Sequence, residues 1–335
     1  MTARSKSSLT TDPELGVLLA RSALATAEPQ TGYAFEAADA LRVALLASRI
    51  ETRINHGVKA LRAGAFSADR MQFAVAGLDG KVLVYDTVSG ALITRFNTGD
   101  KTWITDLAFS PRSPHLLGVT GYRYDKSYLD GALGGFVRIW DMSRDKEVFT
   151  TELSESAFDL DFGPTSSLVV VQTGDSGVHL WDIEAKMEIA SQQIQKWVNR
   201  PTLNADGDKL GMLVSDHTNA ENKIVFDKIA VWDSKLEHEL VTWHAAQGDE
   251  SIWGLAFGPK GDIAVTDDQG NVSVWDMTDI HSPRLSNRQS VHSGVVFDAV
   301  FSSNGACVAT AGRSDHTATV LIGAGAKPMA LLGHK

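Results

Sequence analysis

The stretch Val272-Ser273-Val274-Trp275-Asp276 decides the fold of this chain. Its residues alternate between apolar and polar, which is typical of a β-strand, and it ends in an aromatic-Asp pair. The same pattern and ending recur four times, in residues 81–86, 136–141, 178–182 and 229–233. Residues 319–322 form a degraded sixth copy. The chain therefore carries an internal repeat of one strand type.

The spacing of the copies sets the length of the repeat. The aspartates of successive endings are 55, 41, 51 and 43 residues apart. Each copy follows an alternating strand, most of them ending in Ala-Phe or a similar pair, and then a second apolar strand. A repeat of this length built from short strands favours a radial all-β array. The residues of the endings are Tyr85, Asp86, Trp140, Asp141, Trp181, Asp182, Trp232, Asp233, Trp275 and Asp276.

Over residues 49–335 these repeats resemble WD-repeat β-propellers, in which each repeat builds a four-stranded blade. The resemblance implies an all-β fold with six recognisable blades. It also implies a Gly-His pair before each first strand and an Asp in the turn before the third. His292 fits the first position well and Asn55-His56-Gly57 fits it partly, while Asp79, Asp175 and Asp268 occupy the turn. Blades two to four lack the histidine, so their hydrogen-bond network is expected to be incomplete or replaced.

The number of blades has two interpretations. Residues 48–54 can be the outer strand of an incomplete seventh blade, which would close the ring and leave no unpaired edge. Alternatively, the ring has six blades and residues 48–54 add an extra strand. Residues 331–335 resemble the opening of another repeat, which indicates a truncated product or one part of a longer protein.

The N-terminal segment has a different pattern. Residues 1–11 are polar and small and are expected to be disordered. Residues 12–48 predict a helical hairpin, because Asp12-Pro13-Glu14 is a helix start and residues 28–32 form a break. Two apolar stripes need a partner surface. They consist of Leu15, Leu18, Leu19 and Ala23, and of Phe35, Ala38, Leu41, Leu45 and Leu46.

A helical hairpin followed by repeats is similar to the C-terminal sensor region of multidomain bacterial signalling NTPases and kinases. This resemblance is confined to residues 12–56. The sequence has no phosphate-binding loop and no kinase motif set, so any catalytic partner would lie on another chain or in a missing part.

Composition excludes several classes of function. With 31 Lys and Arg against 41 Asp and Glu, the formal net charge of −10 argues against broad nucleic-acid binding. No apolar run approaches the roughly 18 residues that a membrane span needs. The first helix is interpreted as a soluble helix rather than a signal peptide. A single cysteine, Cys307, rules out intrachain disulfides and is compatible with a cytoplasmic location.

The motifs that suggest chemistry are better explained by structure. Residues 174–177, Gly-Asp-Ser-Gly, resemble a protease nucleophile segment but fall in a predicted turn without a paired His and Asp. Asp206-Gly207-Asp208 and the Asp159/Asp161 pair complete no calcium loop. The histidines show no zinc-binding spacing, and Cys307 is expected to be a small core residue. We therefore predict no enzyme activity, no metal site and no cofactor.

The resemblance instead predicts a binding surface. In the family, one position near the start of each first strand lies at the mouth of the central channel. Here these positions are Arg62, Thr105, Phe158, Asn199, Trp253 and Phe297. Three aromatics and an arginine suit an interaction hot spot, although the aromatics can instead fill space between blades. Asp106, Asp159 and Asp298 follow directly and favour a basic peptide or a cation.

Two insertions, residues 121–130 and 217–224, are expected to emerge on the same face. Tyr122, Arg123, Tyr124 and Tyr128 of the first offer rigid contact area, unless it is a tolerated surface insertion. The predicted function is a non-enzymatic protein-interaction scaffold without nucleic-acid or membrane partners. The alternative is a detached regulatory sensor of a signalling ATPase or kinase. A propeller enzyme would need metal or quinone ligands that converge on the channel.

Overall fold

The computed structural model describes residues 13–26, 32–47, 60–125, 132–165, 167–248, 250–302, 304–315, 317–322 and 329–331. Several predictions fall outside these ranges: the tail at 1–11, the helix cap at Asp12, residues 48–54, His56 and Tyr128. The described part begins with two helices, α1 (Pro13–Thr26) and α2 (Gly32–Ala47), and continues with 24 strands. The prediction of two short helices before an all-β region is confirmed.

The strands form six four-stranded sheets, one for each predicted repeat. Blade one contains β1 (Leu61–Phe66), β2 (Gln72–Gly77), β3 (Lys81–Asp86) and β4 (Leu92–Asn97). Blade two contains β5 (Thr102–Phe109), β6 (Leu116–Tyr124), β7 (Ala132–Asp141) and β8 (Lys146–Leu153). Blade three contains β9 (Ala157–Phe162), β10 (Leu168–Thr173), β11 (Gly177–Asp182) and β12 (Met187–Gln193).

Blade four contains β13 (Trp197–Leu203), β14 (Lys209–Ser215), β15 (Lys228–Asp233) and β16 (Glu239–His244). Blade five contains β17 (Ile252–Phe257), β18 (Ile263–Asp267), β19 (Asn271–Asp276) and β20 (Arg284–Ser290). Blade six contains β21 (Val296–Phe301), β22 (Cys307–Gly312), β23 (Ala318–Ile322) and β24 (Met329–Leu331). In every blade each strand pairs antiparallel with the next strand of the chain. The predicted propeller with six blades is confirmed.

The aspartate that ends each third strand closes the turn that follows. In five blades its Oδ1 accepts the backbone N–H of the residue two positions later, at 2.8–3.1 Å. Hydrogen bonds to the carboxylate favour its charged form, so they hold the pKa of Asp86, Asp141 and Asp276 below the usual value. These residues are turn caps, as the repeat pattern requires.

The histidine network is complete in blade six. The buried His292 ring places Nδ1 3.0 Å from Asp315 Oδ2 and Nε2 2.9 Å from Thr310 Oγ1. Blade five replaces it with an arginine: Arg288 Nη2 lies 2.7 Å from Glu250 Oε2 and 3.0 Å from Asp267 Oδ2. The buried acceptor there is Asp267, which ends β18 and faces inward, while Asp268 lies in the turn as predicted.

Apolar layers between successive blades form the core. Side chains of one blade interleave with those of the next, from the first blade through to the sixth. A twisted four-stranded sheet has two apolar faces here, and each must be covered by a neighbour. Cys307 was expected to be a core residue, but it lies half-buried in β22.

The two helices contact each other, and among the helix side chains whose burial the structure describes, the buried ones are Ala20, Ala37, Ala40 and Ala44. Leu15 and Leu18 are exposed, so the predicted leucine stripe is not the buried face of α1. Small side chains allow two helices to approach more closely than leucines do. In the described part of the chain, neither helix has the length and hydropathy needed to cross a membrane.

Candidate interaction site at the channel mouth

A cavity of about 620 Å³ lies at one end of the central channel. It is large enough to hold a side chain or a short peptide segment. All six predicted mouth residues line it. We call the set the channel mouth: Arg62, Thr105, Phe158, Asn199, Trp253 and Phe297. The structure thus brings together residues that are up to 235 positions apart in the sequence (62 to 297). Their role in binding stays a prediction.

A recurrent β-bulge explains why these side chains point into the channel. In five blades the pairing of the first and second strands skips one residue near the start of the first strand. An extra residue of this kind is left unpaired and its side chain is re-aimed. The skipped residues are Arg62, Thr105, Phe158, Trp253 and Phe297.

Blade four departs from this rule. Asn199 keeps its partner Leu213, and the skipped residues are Arg200 and Pro201. Arg200 has a positive φ of 56°, which is uncommon for a non-glycine residue. Asn199 still lines the cavity, but the residue that the bulge re-aims is Arg200, which sequence reasoning missed. Pro201 was the available signal, because proline has no N–H to donate to a strand partner.

The aromatic residues of the mouth are accessible. Phe158 and Phe297 keep 38% and 37% of their surface exposed, so they do not simply fill space between blades. Trp253 and Phe297 meet edge to face, with ring centroids 5.8 Å apart. The Arg313 guanidinium lies 5.5 Å from the Phe297 ring centroid, within range of a cation–π interaction.

The insertion of blade two is only partly a loop. Residues 121–124 belong to β6, which corrects the expectation of a loop, because the strand pairs with β7 as far as Tyr124. The Tyr122 ring lies 6.2 Å from Phe158 and 5.5 Å from Trp103, which places it beside the mouth. Arg123 instead pairs with Glu152 of β8 at 2.8 Å. Of these residues, Tyr122 extends the aromatic surface.

Charged residues form a band midway along the channel. Asp106, Asp159, Arg200 and Asp298 line both the mouth cavity and a second cavity of about 430 Å³. Asp106 Oδ2 accepts the Leu160 N–H at 3.0 Å, and Asp159 Oδ2 accepts the Arg200 N–H at 3.2 Å. These two aspartates therefore each link one blade to the next.

The surroundings of this band shift its titration. Burial raises the pKa of Asp106 to about 7, and the nearby Asp159 carboxylate adds to the effect. Burial also raises the pKa of the Asp161 carboxyl. Burial acts against the charge on Arg200, but Asp298, Asp159 and Asp106 together raise its pKa. With a pKa of about 7, Asp106 is only partly ionised at neutral pH.

Comparison with known proteins adds one relative. No family model matches the chain. A 122-residue part, 36% of this chain, is 30% identical to activating molecule in BECN1-regulated autophagy protein 1A from Danio rerio. That match spans 8% of the zebrafish protein. The relative, the six sheets and the repeated aromatic-Asp endings together support a WD-repeat β-propeller.

Within the propeller, the insertion of blade four does not line the mouth cavity. A bridge between Thr218 and Ile224 closes it into a turn, and Asn219 Oδ1 accepts the Glu221 and Lys223 amides. The second predicted insertion thus has a compact structure of its own on the surface.

The protease-like motif of the propeller is a turn. Residues 174–176 connect β10 to β11, which begins at Gly177, and Asp175 Oδ1 accepts the Gly177 N–H at 3.2 Å. Elsewhere, Asp233, Glu237 and His238 place ligand atoms within 4.8 Å of one another. Asp233 Oδ1 already accepts two backbone amides of its own turn, so local geometry accounts for this cluster.

Proposed function

We propose that this protein is a non-enzymatic protein-interaction scaffold whose contact surface is the channel mouth together with Tyr122. The observation that carries the proposal is the bulge in five blades, which aims Phe158, Trp253 and Phe297 at one open cavity. Aromatic residues contribute most to interaction hot spots because they bury much area with few rotatable bonds.

The rigidity of the site supports the same function. The mouth residues lie on strands that pack against neighbouring blades. This protein therefore loses little conformational entropy when a partner binds. The cavity of about 620 Å³ is large enough for one or two side chains of a peptide. A protein or peptide partner that inserts an anchor residue fits this shape.

The charge of the channel favours a basic anchor. Asp298 keeps 58% of its side chain exposed and lies behind Phe297 in the same cavity. A lysine or arginine of the partner can reach this carboxylate while its alkyl stem packs on the aromatic rings. Arg62, the mouth residue of blade one, repels a second cation, so we propose a peptide with a single basic anchor.

A regulatory sensor of a signalling ATPase or kinase is a second candidate, together with a cytoplasmic location. The exposed leucines of α1, Leu15 and Leu18, favour it, because an apolar helix face gains stability when a partner covers it. The name of the zebrafish relative describes an activating molecule, and we extend to this chain only the general idea of regulation through contact.

The test is a selection of random peptides on the immobilised full chain. Selected peptides are then assayed against Trp253→Ala, Phe297→Ala and the control Met187→Ala. Met187 is an exposed residue of β12 outside the mouth cavity. We expect the mouth variants to lose binding and Met187→Ala to keep it. Peptides that bind all three variants equally would contradict the proposal.

A further inference from the structure

A buried carboxylate lies between two histidines at one end of blade four. Asp227 comes directly before β15, His217 lies two residues after the end of β14, and His244 ends β16. Asp227 Oδ2 is 3.0 Å from the Nδ1 of His244, and Asp227 Oδ1 is 3.9 Å from the Nδ1 of His217. The two imidazoles therefore approach the two oxygens of one carboxylate. The histidines are 27 positions apart (217 to 244), so no local motif in the sequence indicates this cluster.

The Asp227 carboxylate has an oxygen that the fold does not satisfy. The residue is only 7% exposed. Among the described residues, no group donates a hydrogen bond to its buried Oδ1. A carboxylate oxygen that is removed from water without a donor or a cation is unfavourable. This oxygen therefore favours binding of a positively charged partner.

The nearby ammonium group of Lys228 is engaged by another carboxylate. Its Nζ lies 2.9 Å from Oδ1 and 2.7 Å from Oδ2 of Asp216. Asp216 Oδ1 in turn lies 3.4 Å from the Nδ1 of His217. Because Asp216 balances the charge of Lys228, the negative charge of Asp227 remains for a different cation.

Hydrogen bonds to the backbone fix the positions of the three residues. The Asp227 carbonyl accepts the N–H groups of Ala245 and Ala246, which holds the end of β16 beside it. The His217 carbonyl accepts the Ser215 hydroxyl at 2.9 Å. A site whose backbone is already in place loses little conformational entropy when it binds a ligand.

The same residue types form a different kind of contact in blade six. There the His292 ring is buried, and both of its nitrogens face side chains of the blade. In blade four the side chains of His217 and His244 are 48% and 70% exposed. Imidazoles at the surface can turn toward an ion from solution, whereas the buried ring of His292 is held in place.

We propose that Asp227, His217 and His244 bind a divalent transition-metal ion such as Zn²⁺. Two imidazole nitrogens and a carboxylate oxygen are ordinary zinc ligands, each about 2.0–2.2 Å from the ion. Two ligand atoms of one ion are then at most about 4.2 Å apart. The contacts of 3.0 Å and 3.9 Å lie within that limit, and both rings turn toward the ion as it binds.

Such an ion joins three separate segments of blade four. His217 belongs to the insertion, Asp227 leads into the third strand, and His244 ends the outer strand. Binding therefore stabilises the fold of this blade and holds the insertion against it. The three residues do not line the mouth cavity, so the metal site is independent of the proposed peptide binding.

Calorimetric titration of the full chain without a tag tests the proposal, with Zn²⁺ as the probe. We expect one ion per chain and binding at least about tenfold weaker in His217→Ala and in His244→Ala. The matched control is His238→Ala, because His238 is an exposed histidine that lies beside two other carboxylates, those of Asp233 and Glu237. This control should bind Zn²⁺ as the wild type does. The proposal is wrong if the wild type binds no Zn²⁺ or if all three variants bind it equally.

Thermal unfolding of the same proteins gives a second readout. An ion that binds only the folded state raises the Tm, so saturating Zn²⁺ should raise that of the wild type by about 2 °C or more. The double variant His217→Ala/His244→Ala should show no increase, and its transition without metal shows that it is folded. Mg²⁺ should leave the wild-type Tm unchanged, because it prefers oxygen ligands in octahedral geometry.

Two results of this experiment would overturn the proposal. Equal increases in Tm for the wild type and the double variant would show that Zn²⁺ binds elsewhere on the chain. Equal increases with Zn²⁺ and Mg²⁺ would show a site for hard cations that does not use the two imidazoles.

Discussion

Arg200 of blade four reaches Asp298 of blade six, although blade five lies between them. Its Nη1 is 3.8 Å from Asp298 Oδ2, and its Nη2 donates to the Phe297 carbonyl at 3.2 Å. One guanidinium therefore ties the bulge of blade four to the bulge that presents Phe297. The geometry of the channel mouth depends on this contact across the channel.

Arg200→Ala should loosen the mouth with a small loss of global stability. The pair is partly exposed, so we expect a loss of about 1 kcal/mol or less in the free energy of unfolding. Amide exchange in β21 should accelerate more than exchange in β9, which has its own link to blade two. Arg200→Lys is the matched control, since it keeps the charge but loses the planar fork. Unchanged exchange in β21 would contradict the bracing role.

Asp106 should make the protein less stable as the pH rises toward neutral. Its pKa is about 7 in the folded protein, above the value of about 3.9 in an unfolded chain. The folded state therefore holds an extra proton between these values, and stability falls as the pH rises from about 4 to about 7. One such group contributes at most about 1.4 kcal/mol per pH unit to the slope.

Urea unfolding of Asp106→Asn at several pH values measures this slope. We expect the free energy of unfolding of the variant to change less with pH than that of the wild type between about pH 5 and pH 7. Asp86→Asn is the control, because the pKa of Asp86 is lowered and the residue stays ionised in this range. An identical slope in wild type and Asp106→Asn would rule out a raised pKa at this site.

His292→Ala should destabilise blade six strongly. The substitution removes the hydrogen bonds between the buried imidazole and the side chains of Thr310 and Asp315. These two side chains then lose that hydrogen-bond partner. We expect a loss of about 2–3 kcal/mol in the free energy of unfolding. His281→Ala, in the exposed turn before β20, should have little effect. Similar losses in the two variants would contradict the network.

The turn caps should each contribute modestly. Asp141→Ala removes the acceptor of the Ser143 N–H and hydroxyl, so we expect a loss of about 1 kcal/mol. Asp141→Asn keeps one acceptor oxygen and should restore part of the loss. Denaturant midpoints measure both variants. A stability equal to that of the wild type in Asp141→Ala would show that the turn needs no cap.

Much of the fold could be predicted from the sequence because the repeat has a local cause. An aromatic-Asp ending needs a strand for its aromatic and a tight turn for its carboxylate, and both needs are met within a few residues of Trp140 or Trp275. The mouth positions came instead from the resemblance to WD-repeat propellers. In the structure all six line one cavity.

What the sequence did not predict depends on contacts between distant segments. The bulge of blade four moved by one residue to Arg200, and its partner Asp298 is 98 positions away. Likewise, the buried acceptor of blade five is Asp267, at the end of β18, because Arg288 supplies a cation from the outer strand. Pairing with β7 turned residues 121–124 into strand, and Ala20 rather than Leu15 or Leu18 is buried in α1.

The affinity of a selected peptide for the full chain tests the central claim most directly. It is measured by calorimetry for the wild type, Trp253→Ala and Met187→Ala. A contact surface at the channel mouth predicts at least about tenfold weaker binding for Trp253→Ala and no change for Met187→Ala. Equal affinity for all three proteins would show that the partner binds elsewhere.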